Sequence, residues 1–251
     1  MANKEKDLTA PYIEDGDDVP PSQIHLPPNL YAIGTVNMDE TTHAFSPKVL
    51  DRAFTMELSD VDFTDYPPSG GSGSHGLTAA ESSELLGAFT RDGTFAQIDK
   101  DEIRSIVATY PSIRVWLQTL NELLAKSRMN FGYRVFDEIA QFLANAEAND
   151  AFASFDGFES TFDSAVLMKV LPKFSGSAAR LERPLLDLLA WCVDPVRLPQ
   201  KEIRDAQDGL GDRDWLDSSY AEPGALFFPL AGKRVLRMPG ALATEGFASF
   251  G

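Results

Sequence analysis

Three polar side chains follow the first apolar run of the chain at a spacing that could serve chemistry. Residues 30–36 read LYAIGTV, and Asn37, Asp39 and Glu40 come directly after them. A short, continuous apolar run is typical of a strand buried on both faces of a parallel sheet, and ligand-contacting groups gather beyond the carboxyl ends of such strands. The two carboxylates could assist a water molecule or a metal ion there. Turn formation and capping of the next helix are the alternative roles.

An arginine, Arg52, lies at the end of a helix that the sequence predicts after these polar residues. Pro47 fits the first turn of this helix, and apolar side chains at Val49 and Leu50 give it a packing face. Residues 54–58, FTMEL, then resume the alternation of a strand. The unit therefore reads strand, loop, helix, strand. Arg52 is a candidate for contact with a ligand, and a solvated or salt-bridged helix-end arginine is the alternative.

Four blocks of sequence carry a resemblance to a known family. They are PPNLYAIGTVNMDETTHAFSPKVLDRA at 27–53, MNFGYRVFDEIAQFL at 129–143, AVLMKVLPKFSGSAARLERPLLDLL at 165–189 and FPLAGKRVLRMPGALATEGFASF at 228–250. The first resembles the segment of McrB-like AAA+ NTPases that carries the first sensor and the arginine finger. The second resembles the start of that family's helical lid, and the last two are similar to its C-terminal segments. The blocks occur in the order that the family has.

The resemblance implies a role for each candidate residue. Asn37 matches the first sensor, whose amide holds the attacking water against the γ-phosphate. Arg52 matches the arginine finger, which reaches across a subunit interface to the nucleotide of a neighbour. Arg134, at the start of a lid helix, lies where a second-sensor arginine contacts phosphates, and a helix N-terminal salt bridge is its alternative role. Asp39 and Glu40 rank behind Asn37 as helpers for water or metal.

The fold class that follows is an α/β fragment plus a mainly α part. The resemblance implies the C-terminal part of a RecA-like AAA+ core, with two parallel strands, followed by a helical lid domain. The expected parts are a flexible N-terminal segment at 1–28, the AAA+ αβ portion at 29–65, a linker with connecting helices at 66–110 and the lid at 111–251. Apolar residues at three-four spacing predict packed lid helices over 113–124, 135–143 and 181–189. Residues 225–238 fit either a hairpin around Ala231-Gly232 or a strand-like lead into a helix from about residue 230. The resemblance favours the helix, with a kink or break at Pro239.

A phosphate-binding loop is missing from this sequence. Such a loop needs G-x-x-x-x-G-K-[ST], because closely spaced backbone N–H groups must hold the phosphates while the lysine neutralises them. The nearest lookalike, Gly232-Lys233, is followed by Arg234, and Phe227 stands where the first glycine is required. We therefore expect no nucleotide or metal to be bound by this chain alone, whereas the complete family module binds ATP or GTP with Mg²⁺.

Two functions are open at this point. In the first, the chain is the C-terminal portion of an AAA+ subunit of a restriction or defence system, inactive alone, with AAA+ subunits in a ring and a nuclease as partners. In the second, it is a stand-alone, nucleotide-free module that docks on a complete AAA+ ring. The sequence does not decide between ATP and GTP.

Composition sets further limits. The chain has 251 residues, 43% of them hydrophobic, and a net charge of −16 from 22 basic and 38 acidic residues. This charge argues against direct contact with nucleic acid, which relies on basic surfaces. The single cysteine, Cys192, lies on an apolar helical face and is expected to be buried and structural. The three histidines are scattered and predict no metal site. No apolar run is long enough for a membrane span, so we expect a cytoplasmic protein.

Overall fold

The computed structural model describes residues 30–36, 45–58, 63–64, 76–91, 93, 98–196, 226–245 and 247–248. These residues fall into two compact units. The smaller unit contains residues 30–36 and the described residues between 76 and 93, and the larger contains the rest. The candidates Asn37, Asp39 and Glu40 lie outside the described residues, as does the predicted N-terminal segment 1–28.

The described part of the chain is mainly helical. Its α-helices are α1 (Pro47–Leu50), α2 (Ala79–Thr90), α3 (Lys100–Thr109), α4 (Ser112–Ala125), α5 (Tyr133–Ala148), α6 (Phe158–Lys169), α7 (Ala178–Val193) and α8 (Pro229–Glu245). Short 3₁₀ turns occupy Ala153–Phe155 and Leu171–Lys173, and two-residue strands β1 (Gly176–Ser177) and β2 (Phe247–Ala248) pair antiparallel. The helices predicted from apolar periodicity are confirmed as α4, α5 and α7.

Side chains of the flanking residues fix where several helices begin. The Thr78 hydroxyl accepts the N–H of Glu81, and the Glu81 carboxylate accepts the N–H of Thr78, so α2 starts with a capping box. The Asp99 carboxylate accepts the N–H groups of Asp101 and Glu102 at 2.8 and 3.2 Å and starts α3 in the same sense. Both caps satisfy backbone donors that have no partner within the helix.

The core of the larger unit lies among α3 to α8. The helix α5 packs against α3 and α6, and α8 packs against α6 and α7. An aromatic cluster joins four of these elements: the ring centroid of Phe228 lies 4.6 Å from that of Trp191, 5.1 Å from that of Trp116 and 5.3 Å from that of Phe162. The Trp191 Nε1–H also donates to the Trp116 carbonyl at 3.0 Å. The large side chains of this cluster thereby fix how α4, α6 and α7 meet the start of α8.

The helix predicted from about residue 230 is confirmed as α8. It begins at Pro229, where the missing N–H of proline is harmless, and runs to Glu245. The expected break at Pro239 does not occur, because the backbone stays helical through this residue. Gly232 lies inside α8, where a Cβ would meet the Leu226 side chain at 2.8 Å. A close approach to that leucine therefore accounts for the glycine.

Neither segment predicted as a strand forms one. Residues 30–36 and 51–58 have no regular secondary structure, and among the described residues only the β1–β2 pair forms a ladder. A strand is held by hydrogen bonds from a neighbouring strand, and the described residues provide none beside either segment. Apolar side chains of the first segment are exposed, with 89% of Ile33 accessible. The assignment of 29–65 to a RecA-like core stays a prediction.

The smaller unit is held by few contacts. The Tyr31 hydroxyl donates to the Phe89 carbonyl at 2.6 Å, which ties the segment 30–36 to α2. No side chain of α2 is buried, and Leu86 and Phe89 are each 64% exposed. This unit consequently adds no core to the part of the chain that the structure describes.

Candidate functional site

An extended segment, residues 51–57, lies against the helices of the larger unit, and we call it the strap. The Thr55 N–H donates to the Met168 carbonyl of α6 at 2.9 Å. Alternate strap residues are partly covered, while the even-numbered ones are exposed, including Arg52 and Met56. The alternation predicted for a strand is therefore present, but helices rather than a sheet cover the inner face.

A buried lysine holds the strap in place. The Lys169 side chain has no solvent exposure, and its ammonium donates to the carbonyls of Asp51 and Ala53 at 3.0 Å each. The same ammonium forms an ion pair with the Glu138 carboxylate of α5 and lies 5.1 Å from the centroid of the Phe54 ring. Two of the three N–H donors of the ammonium are used by the two carbonyls. The Glu138 carboxylate supplies the opposite charge that a buried ammonium needs.

A second lysine, Lys173, binds a side chain of the strap. The Lys173 Nζ lies 2.7 Å from the Asp51 carboxylate. This hydrogen bond holds the pKa of Asp51 below its ordinary value, and the positive charges of Lys173, Lys169 and Arg134 act in the same direction against partial desolvation. Asp51 therefore stays ionised at neutral pH. The positive charge of Arg134 lies close enough to act on this carboxylate.

The two candidate arginines of the described residues both face solvent. Arg52 lies in the turn after α1, and Arg134 lies at the second position of α5. Across the part of the chain that the structure describes, neither arginine forms a salt bridge. The salt bridge considered as the alternative role of Arg134 is accordingly not found among these residues. A cation at the N-terminus of a helix is not stabilised by the helix dipole, so the dipole does not account for an arginine at position 134.

Three cations, Lys173, Lys169 and Arg134, act on the Asp51 carboxylate, and Arg52 follows Asp51 directly in the chain. Four cations, Arg52, Arg134, Lys169 and Lys173, stand against two carboxylates, Asp51 and Glu138. The lysines are used inside this group of charges, and the arginines carry the excess charge outward. Such an arrangement suits contact with an anion, and bidentate guanidinium groups match phosphate oxygens.

The Gly232-Lys233 pair, which resembles part of a phosphate-binding loop in sequence, lies in a helix. Gly232 and Lys233 lie in the first turns of α8, so their N–H groups are engaged or directed along a helix rather than arranged as a cradle. Among the described residues no three His, Cys, Asp or Glu side chains are grouped as a metal site would need. Neither finding bears on Asn37, Asp39 or Glu40, which lie outside those residues.

A buried carboxylate, Asp163, forms a separate polar site in the core. Its oxygens accept the N–H groups of Leu230 at 2.6 Å and Ala231 at 3.0 Å, in the first turn of α8. Burial raises the pKa of Asp163 to about 6, although both hydrogen bonds act to lower it. The neighbouring Cys192 is fully buried, as expected, and burial together with the Asp163 charge raises the pKa of its thiol. Cys192 therefore remains a neutral core residue.

One family model matches the chain, over residues 94–247, and it is described as Domain of unknown function (DUF8727). This span covers more than half of the 251 residues. The chain belongs to this family. No curated protein and no solved structure matches it. No helix in the described ranges has the length and apolar character needed to cross a bilayer.

The DUF8727 span includes Arg134, Glu138, Lys169 and Lys173, whereas the strap lies before it. The two lysines and Glu138 were not identified from the sequence. A signal was present for Lys169, which is the only charged residue in the apolar run SAVLMKVLP at 164–172. A lone charge in such a run predicts a buried and paired group, but it does not tell which partner is used.

Proposed function

We propose that this chain is the C-terminal portion of a McrB-like AAA+ NTPase subunit of a restriction or defence system. In this proposal Arg52 acts as an arginine finger on the nucleotide of a neighbouring subunit. The chain contributes no phosphate-binding loop, so it is inactive alone and works within a ring of AAA+ subunits that drives a partner nuclease. The nucleotide of the complete module is ATP or GTP with Mg²⁺.

One observation carries the proposal: Arg52 is exposed while the backbone on both sides of it is anchored. The carbonyls of Asp51 and Ala53 are bound by the buried Lys169 ammonium. An arginine that stabilises charge on a transferring phosphoryl group must be held in a narrow range of positions, because a misplacement of about 1 Å can cost a factor of about 100 in rate. A mobile surface arginine would have to be ordered first, whereas this one needs only its side chain to be ordered.

The other candidate residues have supporting roles in this proposal. Arg134, exposed at the start of α5, contacts phosphates as a second sensor and closes the lid. Asn37 orients the attacking water, and Asp39 and Glu40 assist water or metal. These roles rest on the resemblance in sequence.

A stand-alone docking module is the second candidate function. It is favoured by the helical structure at Gly232 and Lys233, which removes the nearest substitute for a phosphate-binding loop. In this case the chain occupies a ring position and activates its neighbour, but never hydrolyses nucleotide itself. Arg52 has the same role in both candidates.

The experiment that tests the proposal adds this chain to a complete McrB-like AAA+ subunit whose own finger arginine has been replaced by alanine. Hydrolysis of ATP and GTP then depends on a finger supplied in trans. The wild-type chain should restore hydrolysis, and the Arg52→Ala chain should not, since fingers are worth about 10³–10⁵ in rate. Arg52→Lys should rescue poorly, because an ammonium lacks the planar fork.

The matched control is Lys48→Ala, which removes an exposed cation from α1, four residues before Arg52. This variant should stimulate as well as wild type. Equal stimulation by the wild-type and Arg52→Ala chains, or none by the wild-type chain, would overturn the proposal.

A further inference from the structure

We propose that Lys169 is a positioning residue for Arg52. The lysine forms the last residue of α6, and its side chain reaches from the helical core to the strap. The consequence for hydrolysis rests on the proposed function of Arg52, whereas the consequence for the order of the strap does not.

The hydrogen bonds of Lys169 bracket the arginine. The Asp51 carbonyl belongs to the peptide unit that ends at the nitrogen of Arg52, and the Ala53 carbonyl lies two residues further along. Both accept from one ammonium at 3.0 Å, so the two carbonyls converge on one point inside the protein. The backbone is thus attached to the core on either side of Arg52, whose own side chain is exposed.

A purely structural role for Lys169 explains less. A buried ammonium is expensive to desolvate, and an apolar side chain of similar volume often stabilises a core as well or better. Both hydrogen bonds of the Lys169 ammonium go to the strap, and its contact with the helices is the ion pair with Glu138. Its charge is therefore directed at holding the strap.

The other attachments of the strap do not replace this lysine. The Thr55 N–H reaches Met168, and Lys173 binds the Asp51 side chain rather than the backbone. The Arg234 side chain pairs with Glu57 at 2.9 Å, near the far end of the strap. The N–H groups of Arg52 and Ala53 donate to the Val49 carbonyl at 2.9 and 3.1 Å, which closes the turn within the chain segment itself. Among the described contacts, Lys169 is the one that binds the backbone of residues 51–53 from α6. Loss of Lys169 should therefore loosen Arg52 while most of the strap stays docked.

The first measurement is the mobility of a nitroxide attached to cysteine in the Arg52→Cys chain. The reagent should leave Cys192 unlabelled, because that thiol is fully buried. The spectrum should show restricted motion, and adding Lys169→Met should give the narrow lines of a mobile label. Glu138→Gln together with Lys169→Met removes the carboxylate that the single variant would leave unpaired, so the effect can be measured even if Lys169→Met alone folds poorly.

The second measurement is stimulation of the finger-deficient ring by chains that retain Arg52. Lys169→Met, alone or with Glu138→Gln, should lower the stimulated rate at saturating chain at least tenfold. The chain concentration for half-maximal stimulation should not change, because the docking surface is intact. A general loss of structure would instead weaken docking as well. Lys100→Met is the matched control, since it breaks a lysine ion pair with Asp137 on α5 without touching the strap.

The outcomes separate the two proposals. If the wild-type chain stimulates and the Lys169 variants stimulate equally well, the inference on Lys169 is wrong and the role of Arg52 stands. If the wild-type chain does not stimulate, the proposed function is wrong, and the nitroxide spectra alone decide whether Lys169 positions residue 52. Equal restriction of the label with and without Lys169 overturns the inference in either case.

Discussion

Replacing Asp163 by asparagine should change both the stability of the helical domain and its dependence on pH. Asp163 lies in α6 with no solvent exposure, and its two oxygens accept the N–H groups of Leu230 and Ala231 at the start of α8. An asparagine keeps one acceptor but turns an NH₂ group toward the second N–H. A buried donor left unpaired costs about 1–3 kcal/mol. At neutral pH this loss is opposed by relief from burying a charge, so the net change should be small.

The pH dependence is the sharper consequence. Burial raises the pKa of Asp163 from 3.8 to about 6 in the folded protein. Between these values the folded state holds a proton that the unfolded state has lost, so stability falls as pH rises through this window. At roughly 1.4 kcal/mol per pKa unit, the full difference is about 3 kcal/mol, of which about 2 kcal/mol is lost between pH 4 and pH 6, because the folded state is still half protonated at pH 6. The contribution becomes constant above about pH 7. The Cys192 thiol does not titrate in this range, because its pKa is raised well above 9.0.

The assay is urea unfolding between pH 4 and 7, followed by the fluorescence of the core tryptophans Trp116 and Trp191. Because other carboxylates also titrate, the informative quantity is the difference in stability between wild type and Asp163→Asn at each pH. Wild type should lose about 2 kcal/mol relative to the variant between pH 4 and pH 6, with a small further loss up to pH 7. Asp150→Asn, which neutralises an exposed carboxylate at a φ of 52° that asparagine tolerates, is the control and should show no such trend. Parallel pH profiles for wild type and Asp163→Asn would refute the assignment of a raised pKa.

Two further predictions concern the core and the nucleotide. Phe162→Ala removes a fully buried ring from the aromatic cluster, and it should lower the free energy of unfolding by about 3–5 kcal/mol, measured by the same urea titrations. A loss below 1 kcal/mol would mean that the cluster does not hold the helices together. Calorimetric titration of the chain with ATP or GTP in the presence of Mg²⁺ should give no micromolar binding, since the sequence lacks G-x-x-x-x-G-K-[ST]. Micromolar binding to the purified chain would contradict the role proposed for it.

The helices of the larger unit could be predicted because their pattern is local. Apolar residues at three-four spacing, such as Trp116 and Leu120 in α4 or Leu181 and Leu185 in α7, identify the buried face without knowledge of the partner helix. Each of these signals lies within a few residues of the element that it specifies. The helix α8 was expected from the family resemblance rather than from a local pattern of this kind.

The contacts that build the candidate site could not be predicted in this way. Lys169 and Asp51 are 118 residues apart, and Asp163 and Ala231 are 68 residues apart. A single sequence contains no pattern that couples such positions. The charge of Lys169 within an apolar run indicated a buried partner. Its two hydrogen-bond acceptors are backbone carbonyls, however, and any residue type can supply a carbonyl.

The strap shows why alternation was mistaken for a strand. Period-two burial requires an extended backbone with one face covered. The pattern is the same whether a sheet or a group of helices covers that face. Here α6 and α8 cover it, because the Met168 carbonyl accepts the Thr55 N–H and Arg234 pairs with Glu57. The inner positions of the strap are accordingly mixed in character, with Asp51, Thr55 and Glu57 among them. A strand in a parallel sheet would instead have apolar residues on both faces.

In the role proposed for Arg52, the net charge of −16 would give the anchoring of this arginine a further reason. An acidic chain repels a nucleotide at long range, but salt screens this repulsion beyond about 8 Å at physiological ionic strength. A guanidinium on such a chain cannot depend on electrostatic steering to find phosphate, and it acts only after docking has brought it within contact distance. Its position must then be correct already. A strap that fixes the backbone on both sides of Arg52 from inside the protein meets this requirement, and a loop held only by surface ion pairs would not.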